Sequence, residues 1–272
     1  MKILCLALFL VVQLFGGTAA FAASPWGTSF AEIQREAEEG KQTAQCKLGY
    51  MYMTGTDVPR DDAKAVHWFK KSAEQGFCTA QNFLGSMYAE GRGVKQDYAT
   101  ARHWYEKAAA QDYSPADRNL GCLYAEGLGV KQDYARARAY WEKAAADDDE
   151  GAQFYLGVMY ANGEGVQEDA ATARQWWEKS AENGFLLAQY MLGLLYCEGK
   201  KGVPRDYAKA RAWFEKGARQ GFPAAQVQLG TLYAEGKGGQ KDIAAALEWF
   251  ETACRQGNKE GCEHLKRLRP PR

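Results

Sequence analysis

The side chains suited to act as bases, nucleophiles or metal ligands are sparse: three histidines, His67, His103 and His264, and seven cysteines in 272 residues. A hydrolase needs a nucleophile held beside a base, and a zinc site needs three or four ligands at short recurring spacing. The chain has no His-Glu-x-x-His and no Cys-x-x-Cys. Ser72, Ser86, Ser114 and Ser180 each lack a lysine three residues on, which removes the Ser-x-x-Lys nucleophile pair. His67 and His103 directly precede aromatic pairs, a position that reads as packing or rim. Gly91-Arg92-Gly93 follows a helical segment rather than a strand, so it lacks the setting in which Gly-x-Gly cradles phosphate. No catalytic residue, metal site or cofactor is expected.

The elements that would position any site form a repeat. Gly49, Gly85, Gly121, Gly157, Gly193 and Gly230 each stand in Leu-Gly-x-x-Tyr, 36 residues apart four times and 37 once. A unit that short cannot bury its own apolar face, so such units must stack. In Asp206 to Gly236, Asp206 caps a helix (helix B) that Gly221 stops. A second helix (helix A) then carries Ala225, Leu229, Leu232 and Tyr233 on one stripe. Gly230 lies inside helix A, where glycine costs roughly 1 kcal/mol relative to alanine. Its return in every copy predicts a close helix contact. The pairs Trp68-Phe69, Trp104-Tyr105, Tyr140-Trp141, Trp176-Trp177, Trp213-Phe214 and Trp249-Phe250 recur with it and are read as core.

Met1 to Ala22 contain Lys2, an apolar run from Ile3 to Phe15, and Ala20-Phe21-Ala22, which predicts a signal peptide cleaved after Ala22. The run is too short to span a bilayer, so no membrane insertion is expected after cleavage. Cys5 leaves with the signal. The mature chain is expected to be exported, periplasmic or secreted. Cleavage removes one cation, leaving 33 basic against 34 acidic residues. That balance does not recruit nucleic acid, and the local excess Lys266, Arg267, Arg269 and Arg272 reads as a solvated tail.

The pattern Ala-x-x-x-Leu-Gly-x-x-Tyr-x-x-Gly-x-Gly-Val-x-x-Asp-x-x-x-Ala-x-x-Trp-Phe/Tyr-x-x-Ala, clear from Ala80 to Ala109, resembles the Sel-one-like repeat, a relative of the tetratricopeptide repeat. The resemblance covers Ala44 to Ala253. Thr56-Asp57 replaces the second loop glycine of the first copy, Asn162 the loop glutamate of the fourth, and Lys200-Lys201 adds a residue in the fifth. The resemblance implies an all-α fold, an α/α solenoid of antiparallel helix pairs in a right-handed superhelix, serving as an adaptor for proteins or peptides. The expected organisation is a signal peptide (1–22), an N-terminal capping helix (23–43), six repeats (44–253), and a C-terminal capping helix with a basic tail (254–272). Phe30, Ile33 and Ala37 fit a lone helix B, and Cys262 to Leu268 a lone helix A.

Cys254 and Cys262 have a spacing similar to that of the disulfide-bonded, cysteine-rich secreted branch of this family, which implies a bridge; two buried thiols are the alternative. Cys46, Cys122 and Cys197 fall in helices A two repeats apart, too far to pair, and Cys78 is read as a loop residue that leaves a Cys46 pairing open. Some relatives in the cysteine-rich branch are linked with β-lactam binding or hydrolysis, which is the competing function.

In tetratricopeptide-like stacks helix A lines the concave side. Positions three before, one after and four after the repeat glycine share a face there, which we read as a groove. In repeats four and five it carries Phe154, Val158, Tyr190 and Leu194, against Asn82, Ser86, Arg118 and Cys122 in repeats two and three. The apolar half is the expected peptide site. Gln45, Gln81, Gln153, Gln189 and Gln226 stand one residue earlier and suit either an extended peptide backbone, or helix capping or contact between repeats.

Overall fold

The computed structural model describes residues 29–269. The signal-peptide segment with Cys5, and Arg272 of the basic tail, lie outside the described residues. Among them are fourteen α-helices and no strand beyond one isolated bridge, Lys200 to Val203. The chain divides into two compact units at Asp147/Asp148.

The first unit holds α1 (Phe30–Glu38), α2 (Gln42–Thr54), α3 (Asp62–Glu74), α4 (Cys78–Glu90), α5 (Tyr98–Ala109), α6 (Ser114–Glu126) and α7 (Tyr134–Ala146). The second holds α8 (Glu150–Asn162), α9 (Ala170–Glu182), α10 (Leu186–Glu198), α11 (Tyr207–Arg219), α12 (Pro223–Glu235), α13 (Ile243–Arg255) and α14 (Lys259–Leu268). Within each unit every helix packs on the next in sequence, which builds helix A–helix B pairs (α2/α3 through α12/α13) with α1 and α14 standing singly.

Local chemistry sets these boundaries. Each helix B of a pair begins at an aspartate whose carboxylate accepts from a first-turn amide: Asp61 from Lys64 N at 3.0 Å, Asp206 from Lys209 N at 3.0 Å, Asp242 from Ala245 N at 2.9 Å. Most helices A end on a left-handed glycine such as Gly91 (φ 68°). Repeat five differs because of its extra residue: Gly199 turns to ψ 136°, Lys200 and Val203 exchange backbone hydrogen bonds of 2.8 and 2.9 Å, and Val203 is buried. Asp57, where the other copies have glycine, adopts the same left-handed conformation (φ 61°).

The repeat glycine and the second aromatic of each pair form one device. A Cβ at Gly49 would stand 2.7 Å from the Phe69 ring, at Gly85 2.6 Å from Tyr105, and at Gly230 2.8 Å from Phe250. At Gly121, Gly157 and Gly193 it would collide more severely with Trp141, Trp177 and Phe214. Those rings are buried and the helix backbones close on them, so the propensity lost at glycine is offset by aromatic burial. Where the ring is an indole, its N–H also donates to the helix A carbonyl three residues before the glycine: Trp141 Nε1 to Arg118 O and Trp177 Nε1 to Phe154 O, both 3.2 Å.

Candidate functional site

The residues one position before the groove-face position close the seams between repeats. Gln45, Gln81, Gln189 and Gln226 each donate Nε2 to the carbonyl eight residues back, at the end of the preceding helix B, over 3.1 to 3.2 Å. Each of those carbonyls also accepts from the turn glycine three residues on (Gly40, Gly76, Gly184 and Gly221, 3.0 to 3.1 Å), so the glutamine amide is a second donor that ties the helix end to the next repeat. The Oε1 atoms of Gln45, Gln81 and Gln189 in turn accept from Gln75, Gln111 and Gln220 at 2.7, 2.9 and 3.0 Å. Gln153 donates to Asp148 Oδ1 at 3.4 Å and accepts from Asn183 at 3.3 Å. Gln153 and Gln189 are buried. Of the two readings open to these glutamines, the structure shows contact between repeats.

Asp117 occupies the glutamine register in repeat three, which sequence reading missed. An aspartate cannot donate to Ala109 O, and Lys143 does so instead at 3.2 Å while its ammonium lies 3.1 Å from Asp117 Oδ2. Asp117 is 1 % exposed. Burial raises its carboxyl above the usual range against the pull of Lys143. The signal was available in the period itself: a carboxylate where five copies carry an amide.

The groove face differs between the units. In the first, Asn119 Nδ2 donates to buried Asn82 Oδ1 at 2.9 Å, and Ser86 Oγ lies 3.1 Å from Tyr105 OH. In the second, Phe154 and Val158 are 3 % and 7 % exposed, with the Phe154 ring 5.2 Å from that of Phe185. Tyr190 and Leu194 are half-buried. The Tyr190 ring is wedged between Phe214 (5.7 Å) and Phe222 (5.5 Å, edge-on), and this burial raises its phenol above the ordinary value. The four apolar residues are therefore two layers: Tyr190 and Leu194 reach the surface, whereas Phe154 and Val158 lie beneath it.

The remaining reactive groups are arranged as structure. His67 and His103 are exposed and edge-on to Trp68 and Trp104, and His264 stacks on Phe250 at 4.7 Å. Among the described residues no group of three histidine, cysteine or acidic side chains is placed to hold a metal. Cys254 and Cys262 are disulfide-bonded with Cα atoms 4.6 Å apart, which ties α13 to α14. Cys46, Cys78, Cys122 and Cys197 are free thiols. Burial pushes Cys46 up to about 12 and raises Cys197, which disfavours the nucleophilic thiolate. Cys78 is the first residue of α4 rather than a loop residue, because Phe77 already supplies the extended N-cap and a first-turn amide needs no helical partner.

With this geometry in hand, the chain belongs to the Sel1 repeat family, which it matches at residues 42–77, 79–113, 114–149, 151–185, 186–222 and 223–258. Among solved structures it is similar to a protective antigen of uropathogenic Escherichia coli displaying an SLR fold (36 % identity, TM-score 0.74, 89 % of this chain and 51 % of the antigen). The chain thus spans about half the length of that antigen. It is also similar to a Sel1 repeat protein from Oxalobacter formigenes (31 %, TM-score 0.68, 85 % and 88 %). An immunity protein from Pseudomonas aeruginosa shares the fold at 18 % identity (TM-score 0.54, 93 % and 91 %). No curated protein sequence matches. The fold is all-α, of the helical-repeat solenoid class, a fold that typically serves protein interaction. Nothing in these similarities hints at β-lactam hydrolysis. No helix among the described residues is long and apolar enough to cross a membrane.

Proposed function

We propose that the chain is an exported scaffold that captures a protein or peptide segment on the helix A face of its second unit. The observation that carries this reading is Tyr190: a half-buried ring held between Phe214 and Phe222, with half-buried Leu194 one turn on along the same helix. A rigid aromatic loses little entropy when covered, which suits an anchor for an extended ligand. The disulfide at α13/α14 supports export, since such bridges persist in oxidising compartments. Gln153 and Gln189, engaged between repeats, are left out of the ligand contacts.

Selection from a random 12-residue peptide display library against the purified mature protein tests this. Selected peptides are expected to bind Tyr190→Ala and Leu194→Ala variants about tenfold more weakly, roughly 1.4 kcal/mol, with the helical circular dichroism unchanged. Equal binding by parent and variants overturns the assignment. N-terminal sequencing of the exported chain is expected to begin at Ala23; a chain that stays in the cytoplasm from Met1 contradicts export.

A further inference from the structure

The apolar stripe on α10 does not end in neutral surroundings. Tyr190 and Leu194 continue into half-buried Cys197 one turn on, where the cations Lys237 and Arg205 and the carboxylates Glu198 and Glu235 all act on the thiol through space. These cations come from the loops after α10 and after α12, and both lie over one ring, Tyr207, at 5.3 Å and 5.8 Å. Lys209, in the first turn of α11, lies over Tyr196 at 5.3 Å. Lys200, Lys201 and Lys241 are exposed on the same two loops.

The carboxylates nearby do not neutralise this edge. Asp206 and Asp242 cap α11 and α13, and Glu235 takes Lys237 at 2.7 Å, which leaves Lys200, Lys201, Arg205 and Lys241 with only exposed Glu198 among them. The equivalent loop of repeat four is the reverse: Glu164, Glu168 and Asp169, with no cation between Asn162 and Asp169. Counted alike with their capping aspartates, the repeat-four loop carries three acids and no cation, the repeat-five loop three cations against two acids, and the repeat-six loop two against two, so the basic excess lies beside α10. An exposed field of one sign steers and orients a charged ligand more than it tightens it.

We propose that the Tyr190–Leu194–Cys197 stripe and the basic loop of repeat five form one docking surface for an acidic peptide segment. Its apolar residue sits on the stripe and its carboxylates on Lys200, Lys201 and Arg205; the acidic repeat-four loop repels the same charges and so sets the direction in which the segment lies. This inference rests on the reading of the helix A face as a binding surface, and adds the chemistry of what binds.

The test is the same 12-residue library panned against the parent protein and against Lys200→Glu/Lys201→Glu, both exposed positions on the repeat-five loop. Peptides selected by the parent are expected to be enriched in Asp and Glu around a large apolar residue. They should lose at least tenfold in affinity for the double variant and weaken steeply between low and physiological salt. If the selected peptides are neutral or basic, or bind both proteins equally while still requiring Tyr190, the acidic assignment falls and the binding face stands. If no peptide depends on Tyr190, both fall. Sedimentation with vesicles containing phosphatidylglycerol is the remaining arm: lipid binding lost in the double variant, with no acidic peptide selected, overturns the proposal in favour of a membrane surface.

Discussion

The two units share one packing device and differ in the face they leave over. Both seat a buried aromatic against a helix glycine, Trp141 on Gly121 in the first and Trp177 on Gly157 in the second. On the helix A face the first unit places Asn82 and Asn119, which bond each other, and Ser86 beside Tyr105. At the positions of Asn82 and Ser86 the second places Phe154 and Val158, then Tyr190 and Leu194, where the first unit's other copies have Cys46 and Tyr50, and Arg118 and Cys122. Polar groups paired with one another have little left to offer a ligand, whereas an apolar face gains whenever something covers it. Repetition therefore secures the scaffold, and the departures from repetition carry the function.

The largest expected effect probes what the units share. Trp141→Ala and Trp177→Ala should each cost about 3–5 kcal/mol in urea unfolding, because each empties a fully packed indole site. Costs that differ several-fold between the two would break the premise of a common core.

A smaller effect tests the one place where the seam between repeats is ionic. Lys143→Met leaves the Asp117 carboxylate buried without its cation and should cost about 2 kcal/mol near neutrality, reduced from a fully buried pair because the ammonium is partly solvated. The sign with pH follows from burial, which makes the folded chain hold the Asp117 proton to higher pH than the unfolded chain does. The contribution of this group is complete below the ordinary carboxylate range and is lost as pH rises through its raised value, so the deficit of Lys143→Met should grow from about pH 4 to pH 7. Asp117→Gln, which restores the amide of the other repeats, should abolish that slope. A pH-independent deficit would show that Asp117 is solvated in solution. The smallest effect is at Asp112, where a non-glycine residue sits at φ 55° while Gly76 holds the same turn one repeat earlier. Asp112→Gly should change the unfolding midpoint by no more than about 1 kcal/mol in free energy, relief of the left-handed strain being set against glycine's greater unfolded-state entropy.

Much of this architecture was legible from period and residue type. Glycine in mid-helix with an aromatic at fixed distance required a close crossing, and the aspartates and glycines marked the helix ends where they occur. The seam was half legible: the spacing of the glutamines showed a shared role, but whether their amides turned to a ligand or to the preceding helix end depends on a rotation that spacing does not encode. The layering of the apolar face was hidden for a related reason. Phe154 and Tyr190 hold the same repeat position, yet Phe154 lies beneath the surface beside Phe185 while Tyr190 stays half exposed between Phe214 and Phe222. The ion pair of Asp117 with Lys143 joins residues from two helices whose side chains meet only once the pair is packed.

Hydrogen exchange with and without a library-selected peptide measures the contrast between the units directly. Slowed exchange centred on residues 186–206, with residues 78–90 and 114–126 unchanged, is the predicted result. Protection centred on residues 78–90 and 114–126, or none in 186–198, would contradict the account.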